Sequence, residues 1–216
     1  MATEIPTGIE FQHLMSHTFP GFFSAITMFM LIDLWSEIDL ASIVSSDLTG
    51  LFNFIGFILL IGTMLGVIID GLHHSLIENA IFDKMPGMQE MSGIRNEIMI
   101  KCKKSKKDLQ TLGLTHHYFF RILGDKSISL WDHFAKGYYC YSEFYSNTFI
   151  ALVPFSIIVP FYISKTFCID WKLAVLIGVF ALSLGCICLR SSYITYKLYY
   201  GAMLSSIYGY LDEVKQ

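Results

Sequence analysis

Residues 51–69 read LFNFIGFILLIGTMLGVII, nineteen positions without one charge. A helix needs about 20 mostly apolar residues to cross the roughly 30 Å hydrocarbon core of a bilayer. Only helices and closed barrels satisfy their backbone hydrogen bonds there, and an unbroken apolar run of this length is a helix rather than an alternating barrel strand. The stretch therefore predicts a membrane-spanning helix. Its helical pattern continues through Asp70, His73, His74 and Glu78 to about Phe82. Asp83-Lys84-Met85-Pro86-Gly87 then ends it.

Working outward, three further segments have the same character. The first, about Gly21–Leu40, is apolar over Phe22–Ile32 and opens at Pro20-Gly21, with proline suited to a first helical turn. Span three covers about Thr148–Ser164 and contains Pro154 and Pro160. Span four covers about Trp171–Leu189, with helical patterning on to about Tyr210. The expected fold is all-α, a multi-pass transmembrane helical bundle of about four spans with a helical cytosolic segment. Its parts are an amphipathic N-terminal segment (1–19), spans one and two (20–82), a basic helical segment (83–146), spans three and four (147–190) and a C-terminal helix (191–216).

Composition agrees. The chain is 54% hydrophobic and 15% charged, with a mean hydropathy of +0.53. Soluble domains carry about 25% charged residues. The five cysteines show no CxxC spacing, and Cys186 and Cys188 lie inside an apolar run, so they read as packing residues rather than a disulfide framework. Residues 1–17 hold no Lys or Arg, which speaks against a cleaved signal peptide. Ten of the fifteen Lys and Arg lie in 81–146, and residues 41–50 have none. The positive-inside rule then places 81–146 and both termini in the cytosol, with the chain in the plasma (inner) membrane.

Four features bear on function. Asp70, His74 and Glu78 recur at four-residue spacing and share a helix face, with His73 beside it. Carboxylate and imidazole together suit a transition metal or a gate, although the cytosolic end of a span also accepts polar groups without special purpose. Further metal ligands, by residue type alone, would be His116, His117 and His133. Asp33 and Glu37 share a face at the far end of span one, where an oligomer would turn them into a cation-selecting ring. Lys101, Lys103, Lys104, Lys106 and Lys107 form a positive cluster that would hold anionic lipid or a phosphate-bearing ligand such as a nucleotide. Gly62 and Gly66 form a small-residue face for helix packing.

No hydrolase, zinc-protease, Walker or dinucleotide signature is present, no cofactor is called for beyond that candidate metal, and no duplex nucleic acid is expected as a partner. The sequence points first to a homo-oligomeric ion channel or membrane-disrupting effector. It would be gated through its basic segment by an anionic ligand or a soluble protein. This layout resembles that of channel-type effectors of prokaryotic antiviral systems. Two rivals are a metal-dependent membrane enzyme acting on lipid and a membrane anchor for a soluble partner.

The orientation has a direct test. In a background without native cysteines, a cysteine placed at Ser46 should react with an impermeant thiol reagent in intact cells, and cysteines at Ser105 and Ser127 should not. Labelling of Ser105 from outside would reverse the topology.

Overall fold

The computed structural model describes the backbone of residues 7–36, 48–85, 87–88 and 135–213, with side chains over 15–36, 50–85, 87–88 and 137–206. Helix α1 runs Thr7–Trp35 and α2 runs Leu48–Leu72. A π-helical stretch, His73–Ile81, and a single 3-10 turn, Phe82–Lys84, continue α2. A π-helical turn at Ala135–Tyr139 leads into α3, Cys140–Phe167, and α4 spans Trp171–Glu213. There is no strand among the described residues. Four segments are long and apolar enough to cross a membrane: Met15–Trp35, Gly50–Lys84, Gly137–Phe167 and Trp171–Ser206. The chain has the architecture of a multi-pass membrane protein.

Burial is distributed as lipid requires. Phe52, Leu60, Met64, Leu176, Phe180 and Ile187 face outward, an apolar surface that water would not tolerate. The interior combines small residues (Ala25, Ala151, Ala174 and Ala181) and polar ones (Ser16, Ser142, Ser146, Asn147 and Ser192) with larger apolar side chains such as Ile58, Leu152, Phe82 and Tyr199. Lipid tails are as apolar as leucine, so helices associate by close approach and hydrogen bonding.

The helices alternate in direction. Phe29 meets Phe54 edge to face, and Gly21 meets Gly62 and Gly66, so α1 and α2 are antiparallel. Phe23 meets Phe155, and the Lys165 ammonium donates to the Leu34 carbonyl at 3.1 Å, so α1 and α3 run parallel. The α3–α4 hairpin turns over three residues, with Cys168 left-handed at φ 53° and the Asp170 carboxylate accepting the Lys172 N–H at 2.8 Å. Helix α1 packs on both α2 and α3 and separates them along most of their length. Beyond its buried Ser16, the extension of α2 closes onto the others, and Phe82 packs on Tyr193 and Tyr196 of α4. We call this the stem end.

Two close approaches set the geometry. A Cβ on Gly21 would run into the Gly62 carbonyl, and one on Gly66 into the His17 carbonyl. Gly62 and Gly66 thus pack within the chain, against α1. In the hairpin, Ser142 Oγ donates to the Ser192 carbonyl at 3.0 Å and Ser192 Oγ to the Ser142 carbonyl at 2.8 Å.

One expectation needs correction. Proline 20 does not start a helix; α1 passes through it from Thr7, so the amphipathic segment and span one are continuous. Proline has no N–H for the carbonyl four residues back, and that carbonyl belongs to Ser16. The Asn147 amide of α3 donates to it at 3.1 Å. A neighbouring helix thereby mends the proline break, as membrane helices allow.

The glycine crossing predicts a selective effect. Gly21→Ala should destabilise the bundle by about 1–3 kcal/mol through overpacking. Gly56→Ala and Gly71→Ala, where a Cβ meets nothing within 4 Å, should be neutral or stabilising. Denaturant titration in detergent micelles measures the difference. Equal effects at Gly21 and Gly56 would refute the crossing.

Candidate functional site: a histidine–carboxylate centre at the stem end

Most of the buried polar residues lie toward the stem end, with Thr27 and Ser156 nearer mid-span. From Leu51 to Asp70, from Trp35 back to Ser16, from Phe167 back to Asn147 and from Trp171 to Ser192, each helix covers about 28–32 Å at roughly 1.5 Å per residue. That is about one hydrocarbon thickness. Lined up by their loop ends, the four helices bring Ser16, Asp70, Asn147 and Ser192 to the boundary of the apolar zone.

Glu78 is the hub. Its Oε2 lies 2.9 Å from His74 Nδ1 and its Oε1 lies 3.2 Å from His73 Nε2. An α-helix joins Glu78 to His74, four residues back. It would carry His73, five back, to an offset of about 140° at roughly 100° per residue. The π winding reduces that offset, since its hydrogen bonds close over five residues. The Phe82 N–H, shared between the Ile77 and Glu78 carbonyls, marks this wider turn.

Asp70 completes the shared face. Its Oδ2 lies 3.6 Å from His74 Nε2, and its Oδ1 lies 3.7 Å from His17 Nδ1 of α1. Asn147 Nδ2 donates to Asp70 Oδ1 at 3.3 Å as well as to the Ser16 carbonyl. Glu143, buried on α3, is in hydrogen-bonding contact with Tyr139. The centre thus draws on three helices: His17 from α1, Asp70 to Glu78 from α2 and its extension, and Glu143 to Asn147 from α3.

The hydrogen-bond network assigns the tautomer of His73, which is completely buried. Its Nδ1 lies 2.6 Å from Ser146 Oγ. That hydroxyl also lies 2.9 and 3.1 Å from the Ser142 and Glu143 carbonyls, which can only accept. A hydroxyl has one proton, so Ser146 gives it to the carbonyls and accepts from His73 Nδ1–H. The Nε2 of His73 then faces the Glu78 carboxylate, and only a proton or a metal cation between them makes that contact favourable. At 3.2 Å it is longer than the about 2.7–2.9 Å of a charge-assisted hydrogen bond.

Two groups could hold an ion, His73–His74–Glu78 and Asp70–His74–Glu143. Within each group the ligand atoms lie inside 4.8 Å of one another. His73 is sealed, but the His74 side chain is 42% exposed, so the centre opens along that edge. Ser146 is as buried as its histidine partner, which leaves no approach to it as a nucleophile.

The structure gathers Asp70, His73, His74 and Glu78 from the sequence-based candidates. Asp33 stands apart near the loop end, half-buried and with a partner in the chain. Glu37, His116, His117, His133 and Lys101, Lys103, Lys104, Lys106 and Lys107 lie outside the described residues. Sequence reasoning did not single out His17, Glu143, Ser146 and Asn147 as site residues. The legible signal for the α3 members was Ser142-Glu143-x-x-Ser146-Asn147, polar pairs one helical turn apart just before an apolar run. No protein-family model, curated protein or solved structure matches this chain.

Ser146→Ala should leave the His73 Nδ1–H buried without an acceptor and cost about 1–3 kcal/mol. In a double-mutant cycle with His73→Phe the two losses should fail to add by at least about 0.5 kcal/mol. Additive losses would remove this hydrogen bond from the account.

Proposed function

We propose that this chain is a metal-dependent integral membrane protein that holds a divalent transition-metal ion in its histidine–carboxylate centre and acts on the headgroup region of a membrane lipid. The observation that carries the reading is the convergence of His73 Nε2 and His74 Nδ1 on the two oxygens of Glu78. Two imidazoles and a carboxylate are a donor set that suits zinc and its neighbours. Ser146 fixes His73 from behind, as outer-shell hydrogen bonds do for metal-ligating histidines.

The reactant class follows from position. Asp70 sits about one hydrocarbon thickness from the loop end and Glu78 about two turns beyond it, a range that would suit headgroups on one side of the bilayer. The centre's open edge at His74 shares a helix face with exposed Val67, seven residues earlier, a surface suited to an amphiphile arriving laterally. A metal with three protein ligands keeps a position for water or substrate, and a bound water there would be the nucleophile.

A homo-oligomeric channel or effector is the second reading. It is favoured by the stem, in which the 43-residue α4 and the α2 extension are joined through Phe82, Tyr193 and Tyr196. Such a rigid connection would carry a signal from the basic segment to the spans.

Elemental analysis of the purified chain should find about one transition ion, removable by a chelator and lost in His74→Ala. A folded protein holding well under one ion per chain after loading with zinc would exclude the first reading. A monomer by mass measurement in several mild detergents would exclude the second.

A further inference from the structure

We infer that the centre offers a single divalent cation two alternative seats, one on each ring nitrogen of His74. The inference rests on the reading of the centre as a metal site. The first seat is His73 Nε2, His74 Nδ1 and Glu78. The second is Asp70, Glu143 and His74, with the Nε2 of His74 directed at Asp70. Both seats need His74, and each uses a different nitrogen.

A neutral imidazole has one lone pair; its other nitrogen bears a proton. His74 therefore ligates in one seat at a time. With the ion beside Glu78, the lone pair is on Nδ1 and Nε2–H is directed at Asp70, 3.6 Å away. With the ion beside Asp70, the lone pair is on Nε2 and Nδ1–H donates to Glu78. The ring satisfies both carboxylates in either state. Passage between the states moves one proton from one ring nitrogen to the other, through water or the flanking carboxylates, as the ion moves the opposite way. No net proton is gained or lost.

Asn147 independently marks the second seat. Its amide nitrogen donates to two acceptors, the Ser16 carbonyl and Asp70 Oδ1, which fixes the amide orientation. Its Oδ1, the other end of an amide whose nitrogen bonds Asp70, is on a side chain that is 0% exposed and has no hydrogen-bond partner among the described residues. A cation seated against Asp70 supplies what that oxygen lacks.

The seats differ in chemistry and in what they join. The first offers two nitrogens and lies wholly within the π-helical extension of α2. The second is rich in oxygen and ties α2 to α3. An ion moving between them would exchange a bond set within one helix for one that clamps two.

The test uses the full chain in detergent, stripped by a chelator and loaded with zinc, with ion counting and X-ray absorption to count histidine ligands. The native chain should bind one ion with two histidines. Glu143→Gln should keep one ion and two histidines. Glu78→Gln should keep one ion with a single histidine and bind it about tenfold or more weakly. The double variant should bind none. Circular dichroism and size-exclusion chromatography establish folding, and Glu78→Asp or Glu143→Asp replaces any glutamine variant that misfolds. Two ions per native chain, loss of all zinc from folded Glu78→Gln, or two histidines in that variant would overturn the two-seat inference while leaving a metal site standing. No zinc on the native chain would refute the metal reading itself.

Discussion

A carboxylate at the edge of hydrocarbon needs a partner. This constraint governs the stem end of the molecule. Glu78 is answered by two imidazoles of its own helix, at 2.9 and 3.2 Å. One of these lies five residues away and reaches it only because the helix is wound wide over His73–Ile81. A regular α-helix would have satisfied more backbone geometry and left His73 elsewhere. Helices widen in this way most often at functional sites, and here the widening serves a side-chain pairing that the membrane makes obligatory.

The same constraint recruits the other helices. His73 is sealed, so its second nitrogen also needs a partner, and Ser146 of α3 supplies it. Ser146 can accept that proton because its own is given to the α3 backbone. Asp70 calls on Asn147 and His17, and Asn147 simultaneously mends the carbonyl that Pro20 strands on α1. A proline defect in one helix, an asparagine in another and an aspartate in a third form one connected unit. The crossing at Gly21, Gly62 and Gly66 is what lets α1 come near enough for His17 to take part. Weakening that crossing should therefore disturb the centre as well as the packing.

Most of the fold was legible because its signal is one-dimensional. An apolar run such as 51–69 needs no partner to be read as a helix, and the spacing of Asp70, His74 and Glu78 shows at once that they share a face. What escaped depends on three dimensions. The break at Pro20 looked like a helix start because the residue that repairs it is 127 positions further along the chain. His73 looked peripheral because α-helical geometry was assumed where the chain is π-helical. Glu143, Ser146 and Asn147 sit at the entry to a span, a position where polar residues are ordinary. Only the packing of α1 between α2 and α3 brings their heads to Asp70 and His73.

Depth limits what the centre can meet. Its sealed side, at His73 and Ser146, faces the bundle, and on the proposed reading its open side, at His74, would lie at the level where acyl chains give way to headgroups. Bulk solutes reach that level by losing water, whereas amphiphiles already reside there with their polar ends at the right height. Exposed Val67, two helical turns from His74 on the same face, favours the second kind of visitor, since a small polar solute gains nothing from it. An ion held at Glu78 would lie behind His74, and one held at Asp70 would lie beside His17, a residue of another helix. The choice between seats would thus decide which helix forms the wall that an amphiphile meets. On the proposed reading, reactant geometry and helix coupling are set by the same proton on one imidazole.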